Sequence, residues 1–493
     1  MADRQRWNSR MIFLFAAVGS AIGLGNLWRF PYLTFKYGGG AFLIPYLIAL
    51  LVLGIPLLIM EFAIGQRMQQ GAVHAFKKVN HRLAGIGFGA VFSGFVVCVY
   101  YAAVMAWALV YLIKSFAVKV PWTGGAEGYF YNNVLKITDG IGTIGHFNWV
   151  LFFALLAVWV LIYFCVWKGT KSVGKVVMIT MPLPIILLVV LFIRGVTLPG
   201  ALTGIIFYLK PNFGALFDTE VWLAAVSQIF FTLSLAFGIM IAYASYNKET
   251  SDISKNAYVT ALVNSAVSLF SGFVVFSVLG YMATAQGVGV ADVVTSGPGL
   301  AFVAFPQALS LMPFAAFFSV LFFLTLLSLG IDSAFSLVEA VNATFLDTSK
   351  KLATKKVAFY VCFVSFVLGI IFTTGAGLYF LDLIDHFITN FGLVIVGIFE
   401  AIAIGWIFGA EKLRTYINSV SDWKVGKWWN YAIKYFVPAV LIIMVVAQFI
   451  NETKENYGGY PGWAIAVGWL TVIIPIVIGI VLAIKPMKVE VNV

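Results

Sequence analysis

Charge is scarce in this chain. Asp, Glu, Lys and Arg make up 10 % of its 493 residues, where a soluble domain carries about 25 %. That excludes a water-facing surface over the whole molecule. Cysteine is scarcer still. Cys98, Cys165 and Cys362 are the three, each inside an apolar run, so they read as inert core thiols and no disulfide framework is expected. The four histidines, His74, His81, His146 and His386, offer no pair at metal-ligand spacing. No grouping of His, Cys and carboxylate pairs a nucleophile with a base, so nothing points to an enzyme. No cleavable signal peptide is expected either, because the first apolar run is too long and lacks a cleavage-type exit.

What the chain has instead is apolar length. Hydrophobic residues make up 62 %, and about a dozen runs reach the length needed to span a bilayer. They lie near 11–35, 41–65, 86–116, 149–167, 174–193, 221–245, 257–283, 311–345, 357–374, 381–408, 433–450 and 462–484. This predicts an all-α integral membrane protein, one domain over 1–493. If the N-terminus starts inside, the tails and loops on that side hold 23 of the 31 Lys and Arg. The positive-inside rule then places both termini in the cytoplasm. The net charge of +11 is thus a topology signal and carries no nucleic-acid footprint. The longest outer connections are about 117–148, 194–220 and 284–310, the last with Gly297-Pro298-Gly299 and read as a cap over the outer mouth. The cytoplasmic segment 410–432 is basic and holds Trp423, Trp428 and Trp429, as expected at an interface.

The first run is interrupted by Gly19-Ser20-Ala21-Ile22-Gly23-Leu24-Gly25-Asn26. Glycine costs about 1 kcal/mol against alanine in a helix interior, and lipid tolerates loose backbone only where it is buried or lines a cavity. A helix broken at mid-membrane frees carbonyls for a cation and amides for an anion. A glycine-rich packing face between helices is the competing reading. The sixth run has its own soft spot, Thr232-Leu233-Ser234-Leu235-Ala236-Phe237-Gly238. Five spans separate the two, and five is odd, so the second half must be inverted relative to the first. The expected repeats are 11–193 and 221–408, with 433–484 as two peripheral helices and a binding site at the bilayer midplane.

Three segments carry a family resemblance: Gly23-Leu24-Gly25-Asn26-Leu27-Trp28-Arg29-Phe30-Pro31, Gly38-Gly39-Gly40-Ala41-Phe42-Leu43-Ile44-Pro45-Tyr46 and Gln228-Ile229-Phe230-Phe231-Thr232-Leu233-Ser234. They resemble the neurotransmitter:sodium symporters, including their prokaryotic amino-acid members, from about Arg4 to the eleventh helix. The resemblance implies two sodium sites. Ala21 (backbone), Asn26, Thr232 and Asn264 match the first, beside the substrate. Gly19, Ile22 and Leu329 (backbones), Asp332 and Ser333 match the second. A carboxylate at the depth of Asp332 is costly unless neutralised, which a cation does.

Members that carry amines lacking a carboxylate place an aspartate where this chain has Gly23. The implied substrate is therefore a neutral amino acid bringing its own carboxylate to the amides of Leu24 and Gly25 and the hydroxyl of Tyr101. Its ammonium would meet carbonyls near Ala21, Phe231 and Thr232, plus Ser234. Val97, Phe231, Ala236, Phe237, Ser336 and Leu337 are expected to line the side-chain pocket. Several relatives have glycine at Ala236; one methyl there would trim the room for the largest aromatics, but a methylene-scale change discriminates by only about 1–3 kcal/mol, so aromatic substrates are not excluded.

Arg29 and Asp385 resemble the family's outer ion-pair gate, with Tyr101 and Phe231 as a lid beneath; Arg4, Trp7, Ser245, Tyr246 and Asp347 resemble the inner one. Gly174 and Pro184 resemble the spacing at which the fifth helix unwinds. Tyr46, Gln228, Thr232 and Ser268 match a chloride site found in chloride-dependent members; a serine without an anion is the opposing reading of Ser268. Glu61 is read as a hydrogen-bond anchor for the broken sixth helix, with Glu339 and Glu400 in similar structural roles. The function implied is sodium-coupled import of neutral L-amino acids across the cell membrane. A proton-coupled carrier and a non-transporting sensor are the alternatives. The short outer loop after the third helix, without a cysteine pair, points to a prokaryotic member.

Overall fold

A computed structural model describes residues 5–349 and 351–485. Its transmembrane body is built from helical segments numbered here in chain order. They are α1 (Arg10–Ala21), α2 (Leu24–Lys36), α3 (Gly39–Met68), α4 (Ala84–Ser115), α5 (Trp149–Val166) and α6 (Thr170–Val196). After these come α7 (Thr219–Thr232) and α8 (Ile239–Ala244). The series ends with α9 (Ser254–Gln286), α10 (Ala315–Thr348), α11 (Thr354–Thr373), α12 (Gly377–Val420), α13 (Trp428–Gly459) and α14 (Gly462–Ile484).

Ten of these helices are individually long and apolar enough to cross a bilayer, and the pair α1–α2, bent by 60°, makes an eleventh. The run expected at 221–245 is not a continuous helix. It is α7 and α8 separated by the six residues 233–238, and neither piece reaches the length of a span on its own. The last part of α12 also turns at Gly409, where φ is +93°, so the span expected at 381–408 ends there.

Local chemistry sets both interruptions. The N-terminus of α1 is capped by Ser9, whose Oγ accepts from the Ile12 amide at 3.3 Å. The helix stops at Ile22, which has an extended backbone (φ −79°, ψ 106°), and α2 begins after Gly23. In the sixth run the backbone enters the left-handed region at Ser234, Ala236 and Gly238, with φ of 53°, 62° and 72°. Only glycine adopts that region without cost; an L side chain there costs about 1–2 kcal/mol. Glu61 of α3 is the expected anchor: its Oε1 accepts from the Ala236 amide at 2.8 Å.

The two broken segments are held inside a scaffold. Among the ten individually spanning helices α4 is the most enclosed, with 78 % of its apolar window buried, whereas α14 has 17 % buried. Helices α4 and α10 pack along each other, and α1 packs against both α9 and α10. Large side chains such as Leu51, Phe153, Phe164, Ile193, Phe363 and Ile480 point outward from the surrounding helices, forming the apolar belt that hydrocarbon requires.

Candidate functional site

A small cavity lies where the two interruptions meet. Its lining comes from the first break (Ser20, Ala21, Gly23, Leu24, Gly25, Asn26), from α4 (Val97, Tyr101), from the second break and its flanks (Phe231, Thr232, Ser234, Phe237, Ile239) and from α10 (Ser333, Leu337). No charged residue is among them. The space that water centres can occupy is about 40 Å³, room for roughly three waters.

The Tyr101 hydroxyl accepts from the Leu24 amide at 3.2 Å. Gly23 keeps this corner open: a Cβ there would stand 2.9 Å from Ser333 Oγ and 3.1 Å from the Tyr101 hydroxyl. Two residues expected in the pocket are elsewhere. Ala236 is fully buried with its amide turned to Glu61. Ser336 bonds the Tyr243 hydroxyl at 2.6 Å and the Asp332 carbonyl at 2.5 Å. Neither lines the cavity, because the left-handed turn rotates Ala236 away and Ser336 faces α8.

Beside the cavity, Asn26, Thr232 and Asn264 form one network. The Asn26 amide nitrogen donates to Asn264 Oδ1 and to Ser268 Oγ, both at 2.8 Å. Asn264 and Thr232 exchange contacts of 3.2 and 3.3 Å, and Asn26 Oδ1 accepts from the Gly23 amide at 2.8 Å. These are neutral, hard oxygen and amide groups. Among the described residues no three His, Cys, Asp or Glu come together as a metal cluster.

Asp332 sits on the far side of α1 and is 2 % exposed. Its Oδ1 accepts from the Thr180 hydroxyl. Its Oδ2 faces Gly19, where a Cβ would come within 2.5 Å of it. Ser333 donates to the Ser20 carbonyl at 3.2 Å. Thr180 was not among the residues expected here. It ends the first half of α6: helical hydrogen bonding pauses at Met181, before Pro182 and Pro184, since proline supplies no N–H. The pause lies within the expected 174–184 interval.

The four residues expected at a chloride site are all buried: Tyr46, Gln228, Thr232 and Ser268. Tyr46 donates to Ser265 Oγ at 3.1 Å, a serine the sequence reading missed. Gln228 stands apart: neither its Nε2 nor its Oε1 has a hydrogen-bond partner among the described residues. Glu400 and one oxygen of Glu61 are in the same position.

The two ends of the pathway differ. Among the described residues no ion pair joins Arg29 to Asp385. Arg29 donates to Ser227 Oγ at 2.9 Å and lies over the Phe231 ring at 5.1 Å, while Asp385 accepts from the Tyr100 hydroxyl at 2.5 Å. A vestibule of about 290 Å³ opens beside Arg29, lined by Tyr37, Glu220, Ser227, Asn390 and Gln448 among others. The other end is packed shut. Trp7 is 8 % exposed; its indole donates to the Tyr243 carbonyl at 2.8 Å and its amide to the Tyr246 carbonyl at 3.2 Å. Its ring meets Tyr243 and Tyr246 edge-on. Tyr246 donates to Glu339 at 2.9 Å, Ser245 Oγ to the Ala242 carbonyl, and Asp347 accepts from the Gly71 amide at 2.6 Å. Arg4 lies outside the described residues.

Two interrupted helices enclosing a buried, uncharged cavity, with a packed cluster around Trp7 toward one end and a separate vestibule beside Arg29 toward the other, define a membrane carrier. The comparisons with known proteins narrow the class. The profile of the sodium:neurotransmitter symporter family matches residues 4–128 and 123–489. The chain is 43 % identical over 482 residues to an uncharacterized sodium-dependent transporter of Methanocaldococcus jannaschii, covering 97 % of both chains. It is 38 % identical over 506 residues to the sodium- and chloride-dependent GABA transporter 2 of Rattus norvegicus (95 % of this chain, 84 % of the relative). It is 37 % identical over 509 residues to the sodium- and chloride-dependent taurine transporter of Homo sapiens (95 % and 82 %). The chain belongs to the sodium:neurotransmitter symporter family. It is a multi-pass, sodium-dependent symporter and not an enzyme.

Proposed function

We propose that this symporter imports neutral L-amino acids by alternating access. The observation that carries the reading is the cavity lining, which holds backbone polar groups and hydroxyls at one corner, apolar side chains elsewhere and no charge. An acidic or basic side chain would find no counter-ion there and would bear the full cost of desolvation. A zwitterion's carboxylate would be held by the amides of Leu24 and Gly25 and by the Tyr101 hydroxyl, with a sodium ion beside it. Its ammonium would face Ser234 and the carbonyls near Ala21, Phe231 and Thr232. Val97, Phe231, Phe237 and Leu337 would hold the side chain.

In this reading the first sodium lies among Ala21 O, Asn26, Thr232 and Asn264, with the substrate carboxylate as a further ligand. The second lies among the carbonyls of Gly19, Ile22 and Leu329 with Asp332 and Ser333. The Asp332 carboxylate accepts from one hydroxyl, Thr180, with its other oxygen turned toward Gly19; a carboxylate this deep is costly unless neutralised, which a cation would do. Chloride would lie among Tyr46, Gln228, Thr232 and Ser268. The support is Gln228, whose amide has no partner among the described residues; an anion would accept from Nε2.

Transport follows from the two ends. With Arg29 and Asp385 apart, substrate and sodium enter through the vestibule, and closure of that pair over Tyr101 and Phe231 seals them in. Release of Trp7 and its partners then opens the opposite side, with Arg4, Ser245, Tyr246 and Asp347 in the inner gate. The two halves, 11–193 and 221–408, act as inverted repeats, 433–484 stay peripheral, and both termini lie in the cytoplasm, as the basic-residue bias supports.

The test is uptake of labelled neutral amino acids into proteoliposomes with and without an inward sodium gradient, with GABA and taurine as competitors. Accumulation of an α-amino acid that needs sodium and survives both competitors supports the reading. Accumulation of GABA or taurine in its place moves the substrate to an ω-amino acid. Binding without accumulation leaves a sensor.

A further inference from the structure

A second cavity, of about 280 Å³, opens sideways between α4, α12 and α14, far from the broken helices. Glycines form its floor. Gly85 and Gly89 of α4, Gly392 of α12 and Gly479 of α14 line it, and where α4 meets α14 a Cβ on Gly85 would stand only 2.5 Å from Gly479 Cα. The missing side chains let the α4 and α14 backbones touch at this point, and beside that contact a recess between the three helices stays open. The walls are apolar side chains, and the single charged residue in the lining is Arg82, at one end. Phe399 and Ile480 flank the opening and are 51 % and 54 % exposed, so the recess faces lipid.

Its length is informative. From Val472 to Ala483, both in the lining, α14 rises about 16 Å at ~1.5 Å per residue. One leaflet of a hydrocarbon core is about 15 Å thick, half of ~30 Å. The slot is therefore as long as one acyl layer. Arg82 stands at its polar end, in the segment between α3 and α4, on the side holding 23 of the 31 Lys and Arg. Its guanidinium has no hydrogen-bond or ion-pair partner among the described residues. His81 precedes it, and Lys485, exposed, follows Ala483 by two residues. Basic groups at the mouth of a crevice between membrane helices attract anionic head groups, each worth about 1 kcal/mol.

We propose that this slot binds one anionic phospholipid, an acyl chain lying along α14 and the phosphate held by Arg82 and Lys485. The charge at the mouth and the leaflet-length apolar groove select that occupant over a neutral lipid. The proposal is independent of the substrate reading.

The test uses the full-length protein reconstituted with equal amounts of phosphatidylglycerol and phosphatidylcholine, extracted gently and weighed by native mass spectrometry. Wild type is expected to retain one phosphatidylglycerol over phosphatidylcholine by at least roughly fivefold, the equivalent of ~1 kcal/mol. Arg82→Gln, an exposed change that leaves the fold alone, is expected to bring the two lipids near parity. Ile476→Trp, which fills the slot from its half-exposed rim, is expected to lose the retained lipid of either kind while keeping the thermal midpoint. Equal retention by wild type, or an undiminished preference in Arg82→Gln, overturns the proposal. So does a lipid-free dimer that Ile476→Trp dissociates, which would give the groove to a second copy of the chain.

Discussion

Replacing Gly19 with alanine isolates the second sodium site. In the structure a Cβ on Gly19 would stand 2.5 Å from Asp332 Oδ2, 3.2 Å from its Cγ and 3.4 Å from its Cβ. Real carbon atoms do not approach an oxygen that closely, so something must move. Asp332 has little freedom to do so. Its other oxygen is held by Thr180, and its carbonyl accepts from Ser336. Forcing an extra methyl into such a place costs about 1–3 kcal/mol. If the displaced group is a sodium ligand, that cost falls on sodium binding, and at 1.4 kcal/mol per tenfold the sodium concentration for half-maximal uptake rises roughly five- to 150-fold. Gly25 is the control, because a Cβ there meets only Phe231 ring carbons at 3.6 and 3.7 Å, an ordinary contact. The assay is initial uptake against sodium concentration in proteoliposomes at saturating substrate. A Gly19→Ala half-saturation within about twofold of wild type would refute the placement of sodium at Asp332. A Gly25→Ala value shifted as far as that of Gly19→Ala would refute the steric argument.

Three further outcomes are expected. Gln228→Leu removes two buried amide atoms with no partner among the described residues. If chloride binds there, uptake loses its chloride dependence; if nothing binds, the thermal midpoint rises, since an unsatisfied buried polar group costs about 1–3 kcal/mol. Ala236→Gly relieves a left-handed alanine, and because Ala236 does not line the cavity, the ranking of substrates by size is expected to stay the same while stability changes by under about 1 kcal/mol; a shift toward larger substrates would contradict the observed lining. Tyr100→Phe frees Asp385 to reach Arg29, so a reporter cysteine at Ala224 in the vestibule is expected to react at least threefold more slowly with an impermeant thiol reagent, and an unchanged rate would show that Tyr100 does not hold the outer pair apart.

The first break was legible because three glycines, a serine and an asparagine fall within the eight residues 19–26, and such residues are costly inside a lipid-spanning helix; the structure confines the break itself to Ile22 and Gly23. The second was legible only as a soft spot. Its left-handed residues include Ser234 and Ala236, which nothing in the sequence marks as such. The partnership of Asn26, Thr232 and Asn264 followed from the family motifs. Thr180 was not legible, since one hydroxyl in an apolar run reveals nothing until folding brings it to Asp332, 152 positions away. Its position just before Pro182 and Pro184 was the available hint. Ser336 was misplaced because its role depends on the rotation of α10, and it lies four residues beyond Asp332, with its hydroxyl turned back onto that residue's carbonyl. The separation of Arg29 from Asp385 belongs to one conformation, and a sequence encodes several at once.

The carbonyl of Ser20 accepts from two hydroxyls, Ser234 and Ser333, each at 3.2 Å. One oxygen at the end of the first broken helix thus fastens it to the second break and to the helix bearing Asp332. Each bond is worth about 0.5–1.5 kcal/mol, but they share an acceptor, and a displacement of α1 that strains one strains the other. The junction behaves as a latch with two tongues in one keeper. It withstands small thermal excursions and releases both neighbours together, so α1 has few stable positions between docked and free. A displacement of α1 from this seat loses both bonds at once, so one carbonyl oxygen couples the broken helix to both of its neighbours.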